Sequence, residues 1–332
     1  MILAPNLADA SPRTLGVTIH GAELPRGREL ASLLHLHPLV GSIQELSTRG
    51  SLRLGTAASG EPRWVRASRA LPPGDLVIVC VEDPDLAAAI VEQARAWEVR
   101  VIDLSPGVVS EEDRIDVKYG LPELNAESLA GARCVTSAGG LVTCATLALA
   151  PLAMAGYLKE PVELEAVQGL AWTGSQSQAE PGVSEEIQAN LGRLHRCARE
   201  PEVHLEHRID PAARGVVATA RIEDGSVGPE RLQTLYEVFY GEAPCVEVLP
   251  SGLPALPKVR GTNTVRVGIR ETAAGAVEIG CALDDALKGC VGQAIQNMNL
   301  MFGFPETLGL PEFPFASSLV EVPERAPKRA DL

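Results

Sequence analysis

The sequence predicts an α/β protein: a doubly wound parallel sheet first, then a second α+β domain on a mixed or antiparallel sheet. Three observations support this. Short, continuously apolar runs alternate with helical stretches early in the chain, as in TLGVTIH (14–20), DLVIVCVE (75–82) and VRVIDLS (99–105). Strands apolar on both faces belong to sheets covered by helices on both sides. Later, the stretch 259–281 alternates Val and Ile with polar residues around GAVEIG, the pattern of a sheet with one wet face. At 332 residues, two domains are the default, and a core needs no disulfide or metal to hold it.

The elements follow in order. Residues 1–13 read as a loose leader and 14–20 as a strand. A turn at Gly21–Gly27 precedes a helix over 27–36, where Leu30, Leu33, Leu34 and His37 recur at helical spacing. Residues 40–46 form a second strand and 75–82 a buried one. DPDLAAAIVEQARAWE is a helix opened by Asp83 or Asp85, either of which can cap it. A further strand spans 99–105, and 143–158 is a long apolar helix. The stretches 160–170 and 202–222 are β-rich, 286–302 is one late helix, and the Pro-rich tail after 312 is extended.

Composition narrows the function. Apolar residues make up 45% and aromatics 4%, so Leu, Val, Ile and Ala fill the core. Forty-three acids against 29 bases give a net charge of −14, which disfavours nucleic acid or an anionic membrane as the main partner. No run of 18 apolar residues exists for a membrane span. The N-terminus lacks the charged n-region of a secretory signal. Seven cysteines without a CxxC pair read as reduced thiols of a cytoplasmic protein.

Several motifs together resemble the N-acetyl-γ-glutamyl-phosphate reductase family, relatives of aspartate-semialdehyde dehydrogenase. They are DDALKGCVGQAIQNMNLMFGFPETLGL (284–310), YGLPELN (119–125), VIDLS (101–105), TLALAPL (146–152), RGVVAT (214–219) and GTN (261–263). The resemblance runs from about 14 to 312. It implies a Rossmann-like, NADP-binding domain at 1–135 and an α+β substrate and dimerisation domain at 136–285. The late helix, 286–312, returns to the first domain, and 313–332 is a tail. The implied chemistry is reduction of an acyl phosphate to an aldehyde through a cysteine thioester.

Residue by residue, the chain departs from that pattern. The family's Asn-Pro-Gly-Cys-Tyr-Pro-Thr aligns with Ser137-Ala138-Gly139-Gly140-Leu141-Val142-Thr143, which puts Gly140 at the nucleophile position. Glycine cannot form a thioester. Cys144 is the nearest thiol; it reads either as a small core residue or as a displaced nucleophile. The family's base histidine falls within 181–187, where no histidine stands; His195, His204 and His207 lie downstream. The HxxH of His204 and His207 is a poor metal signal, because residues three apart on a strand face opposite ways.

The dinucleotide loop keeps Gly21 and Gly27, but Leu24 replaces its middle glycine, and Glu23 adds a negative charge that Arg26 could offset. Glu82 and Asp83 add two further acids near the expected groove. Arg49, in Ser47-Thr48-Arg49, matches the family's contact to the NADP 2′-phosphate, and Asn297 and Asn299 match the part facing the nicotinamide. Among positions that would handle substrate or an anion, Gly139, Gly140, Arg214 and Lys288 remain, while the arginine of the family's Asp-Leu-Ser-Ala-Asp-Phe-Arg is replaced by Val109. Trp172 would close a pocket or cover an interface.

These departures predict a degenerate member: a pseudoenzyme that binds, as a homo-oligomer (dimer or tetramer) or as partner subunit, scaffold or regulator of another protein. One alternative is an active NADPH-dependent reductase relying on a displaced thiol. The other is a cysteine-independent reaction, or anion binding, in the same pocket. No metal and no membrane contact are expected.

Overall fold

The computed structural model describes residues 14–48, 51–55, 64–66, 74–105, 117–169, 182–194, 201–210, 213–222 and 227–311. The leader, the tail, Arg49, Trp172, Val109 and His195 lie outside the described residues.

Eight strands form the first sheet: β1 (Leu15–His20), β2 (Val40–Leu46), β3 (Ser51–Gly55), β4 (Trp64–Arg66), β5 (Leu76–Val79), β6 (Arg100–Asp103), β7 (Val117–Gly120) and β8 (Cys134–Ser137). Their order is β4-β3-β2-β1-β5-β6-β8-β7. β1, β2 and β5 to β8 run parallel, while β3 and β4 add an antiparallel edge. Helices α1 (Pro25–Leu34), α2 (Pro84–Ala96) and α3 (Pro122–Leu129) connect these strands. Strand order reverses between β1 and β5, and sheets of this kind bind ligands in the crevice beyond the carboxyl ends at such a reversal.

Helix starts follow from local chemistry. Asp83 caps α2, its carboxylate accepting the Asp85 and Leu86 amides. α1 starts at Pro25, two residues before the sequence reading, because proline's fixed φ and missing N–H fit the first helical turn. Gly21 sits at φ +82, and a Cβ on Gly27 would overlap the Gly21 carbonyl, so helix and loop touch backbone to backbone. Both glycines are therefore required by the fold itself.

The second sheet contains β9 (Val162–Gly169), β10 (Val203–Asp210), β11 (Val216–Ile222), β12 (Val246–Val248), β13 (Val265–Glu271) and β14 (Val277–Leu283). It is mixed, in the order β10-β9-β11-β14-β13-β12. Helix α4 (Gly140–Ala155) packs on β11 and β14, flanked by α5 (Val183–Leu194) and α6 (Pro229–Phe239). Every residue of α4 from Gly140 to Ala153 is buried. The helix starts three residues before the predicted 143 and ends at Gly156, whose left-handed backbone (φ +73) stops it.

Pro151 lies inside α4 and cannot donate to the Leu147 carbonyl one turn earlier. The Tyr240 hydroxyl donates to Leu147 O instead, and Tyr236 donates to Ala148 O. Two hydroxyls from the end of α6 thus serve carbonyls beside the proline.

The predicted single helix at 286–302 is two pieces. A widened π turn (Leu287–Val291) leads into α7 (Gly292–Phe302). The Asp284 carboxylate accepts the Ala286 and Leu287 amides and so fixes the entry. Leu287, Val291, Ala294, Ile295, Met298 and Met301 then pack with α1 and the first sheet. A Cβ on Gly289 would come within 2.8 Å of Gly140 Cα, so this turn presses against the start of α4.

Candidate active site between the two sheets

The start of α4 lies among the π turn, β9 and α1. Gly139 caps the helix without a side chain and is exposed, whereas Gly140 is buried. A Cβ on Gly140 would collide with Asp285 Oδ1 and lie 3.3 Å from Gly289 Cα. The space a nucleophile's side chain would need at position 140 is taken by a carboxylate.

Asp285 is 3% exposed. Its Oδ2 accepts from Gln168 Nε2 at 3.0 Å. Burial pushes its carboxyl up to about 6; the Gln168 bond, Arg26 and Arg214 pull down, while Asp284 pushes further up. Arg26, on the first turn of α1, donates to the Leu104 carbonyl beyond β6. Arg214 pairs with Asp284 at 3.1 Å and reaches Glu29 of α1 at 3.8 Å. Asp284, fully buried, also accepts the Gly261 amide. The result is a buried acid beside the amino end of an apolar helix, with two guanidinium groups nearby.

The other thiols are poorly placed. Cys144 is fully buried on α4, and its Sγ donates to the Cys281 carbonyl at 3.2 Å. Cys290 stands near Asp285 and Arg26, but burial pushes its thiol up to about 11. The six described cysteines are all free thiols.

Lys288 is sealed away from the crevice. Its ammonium is fully buried, 2.8 Å from Glu123 Oε1, and also donates to Gln293 and Gln296. Gln293 in turn donates to Ala138 O and Thr143 Oγ1 at the start of α4. Asn297 donates to Gly120 O, and Asn299 to the carbonyls of Glu306 and Leu308, so both tie α7 to neighbouring backbone. Tyr119 of YGLPELN donates to Glu186 on α5.

At the dinucleotide loop, the Glu23 carboxylate accepts the Thr48 amide at 2.7 Å and the Thr48 hydroxyl. It bridges the loop to the end of β2, which is where the sequence expected a phosphate contact. Leu24 is the residue before Pro25, and with proline following it α1 offers one fewer amide to an anion. Asp83 is spent as the α2 cap, as above. On β10, His204 is exposed between Glu163 and Glu202, which hold its pKa above the usual histidine value; His207 faces the other side.

Sequence reading named Gly139, Gly140 and Arg214, which the structure brings together, and Cys144 and Lys288, which it buries elsewhere. It missed Asp285, Gln168 and the bond from Arg26 to Leu104. The signal for Asp285 was present as two adjacent acids directly after an apolar strand, a costly place for charge.

The two sheets, with α4 buried against the second and the terminal helix returning to the first, define the architecture of semialdehyde dehydrogenases. Aspartate semialdehyde dehydrogenase II from Vibrio cholerae superposes with a TM-score of 0.67 at 15% identity, over 87% of this chain and 98% of that one. The NADP complex of aspartate semialdehyde dehydrogenase from Candida albicans gives 0.61 at 15% identity, covering 87% and 98%. Residues 141–285 match the profile of the semialdehyde dehydrogenase dimerisation domain. N-acetyl-γ-glutamyl-phosphate reductase of Thermus thermophilus is 35% identical over 89% of this chain and 98% of its own length. That of Methanopyrus kandleri is 32% identical over the same shares. The chain belongs to the N-acetyl-γ-glutamyl-phosphate reductase family. Among the described residues, no helix is long and apolar enough to cross a membrane.

Proposed function

We propose that this chain is a family member without thioester chemistry, a pseudoenzyme that acts by binding where α4 begins. One observation carries the reading: the Asp285 carboxylate fills the space a cysteine side chain at position 140 would need. A thioester forms only from a thiolate within reach of the acyl carbon, and the described thiols are buried in the core or pushed up by burial. The match to a dimerisation domain supports a homo-oligomer. Pairing with another protein as a non-catalytic subunit, scaffold or regulator fits the acidic composition.

The test is the family's reaction run backwards. Purified protein, N-acetylglutamate semialdehyde, phosphate and NADP should produce no NADPH above the rate of a heat-treated control. Turnover abolished by a thiol-alkylating agent would instead establish a displaced cysteine. Calorimetric titration with NADPH decides separately whether the crevice keeps a dinucleotide.

A second reading rests on the same carboxyl. A group titrating near about 6 beside Arg26 and Arg214 can exchange a proton with a bound anion near neutrality. That would be a cysteine-independent reaction. An activity with a pH profile turning near 6 and abolished in Asp285→Asn would favour it.

A further inference from the structure

Below α7 lies a second polar cluster that the reading above does not use. Glu123 on α3, Cys245 ahead of β12 and Glu306 beyond α7 each present a donor atom, all within 4.8 Å of one another. They come from three separate parts of the chain.

The hydrogen bonds around this cluster leave two buried oxygens without a donor, Asn263 Oδ1 and Glu123 Oε2. Lys288 spends its ammonium on Glu123 Oε1, Gln293 and Gln296. Gln296 donates to Glu123 Oε1 and to Glu306 Oε1. Asn263 donates to Cys245 Sγ at 3.5 Å, so the sulfur is already placed as an acceptor. Glu123 Oε2 is left over. Its side chain is fully buried, and this oxygen has no hydrogen-bond partner. A buried carboxylate oxygen without a donor is costly, and such groups are satisfied by a proton, a water or an ion.

An open cleft of about 640 Å³, lined by Glu123, Glu306, Phe239, Glu242 and Pro244, lies against this cluster. Its rim is acidic, which draws cations inward.

We propose that Glu123, Cys245 and Glu306 bind a divalent transition-metal ion of the zinc type, with a cleft water as fourth ligand. The charges close: two carboxylates, one thiolate and the Lys288 ammonium sum to −2, which a divalent ion neutralises. Binding exchanges the Cys245 thiol proton for the metal–sulfur bond, and that proton leaves through the cleft. A thiolate beside two carboxylates favours zinc over magnesium or calcium, which prefer oxygen alone. Tetrahedral zinc needs donors about 3.5 Å apart, so the cluster closes by small side-chain rotations. Joining α3 to the segments before β12 and after α7, the ion would clasp the first sheet's connections to the second domain.

The test uses the full chain, stripped with chelator and then titrated with Zn²⁺ by calorimetry and with Co²⁺ by absorption. The expected result is one ion per chain, a near-ultraviolet thiolate-to-cobalt band, and a rise in Tm of roughly 5 °C at saturating zinc. Cys245→Ser should abolish the band and weaken zinc at least tenfold. Glu306→Gln, at a half-buried position, should weaken zinc similarly and carries the test should Cys245→Ser fail to fold. Absence of the band overturns the proposal. Zinc bound equally well by wild type and Cys245→Ser also overturns it, assigning the ion to the exposed His204, Glu163 and Glu202 group.

Discussion

Asp285 and Gly140 face each other so closely that Oδ1 of the first lies within collision range of any Cβ on the second. The glycine and the acid form one unit: each is tolerated at its place because of the other.

Gly140→Cys alone should therefore not restore a reactive nucleophile. Overpacking against a held carboxylate costs about 1–3 kcal/mol, read as a lower urea midpoint. Gly140→Cys with Asp285→Ala should recover most of that loss and yield a thiol that alkylates in the native state. Equal destabilisation in single and double variants would show that the two residues are uncoupled.

Stability should depend on Asp285 protonation. Its carboxyl rises from 3.8 to about 6 on folding, so the native state holds the proton more tightly than the unfolded chain. Stability from this group is therefore greatest below about pH 4 and is lost as pH climbs to 6. Asp285→Asn should gain on the order of 3 kcal/mol at pH 7 relative to wild type, shrinking towards zero near pH 4. Urea titrations at several pH values measure the difference. A constant offset across that range would contradict the assignment.

Cys144 should behave as core. Its sulfur faces the Cys281 carbonyl with no path to solvent, so iodoacetamide should label it only when the protein unfolds. Peptide mass spectrometry across a urea series reads this directly, and labelling well below the unfolding midpoint would revive it as a nucleophile.

Lys288→Met should cost about 3–5 kcal/mol, because it leaves the buried Glu123 carboxylate without its cation. Adding Glu123→Gln should return part of that loss. An anion-binding role for Lys288 would instead leave stability near wild type and change ligand affinity.

The parallel strands β1, β2, β5 and β6 and helix α2 were legible because apolar runs and an Asp-Pro start are local signals. So was the loss of the cysteine, since a single residue decides it. β7 (VKYG) and β8 (CVTS) are as short as β5 and β6 but break their apolar residues with polar ones, as do the edge strands β3 (SLRLG) and β4 (WVR). The amphipathic helices α5 and α6 were not among the elements expected from the sequence. Lys288 and Cys144 were ambiguous for a different reason. Burial is a property of what packs above a residue, and in both cases the cover comes from segments more than 70 residues away. Asp285 is the reverse case, a charge at an apolar position whose meaning emerges only when Gly140 is brought beside it.

The Tyr240 hydroxyl on Leu147 O links positions 93 residues apart. A helix is ordinarily the most local of structures, closing its own ladder as it winds. α4 cannot do so at Pro151, and the missing rung arrives only when the end of α6 docks. Helix and second domain must then become stable together rather than in sequence. In native-state hydrogen exchange, the amides of α4 and those of α6 should open as a single cooperative unit, although the chain makes one long before the other.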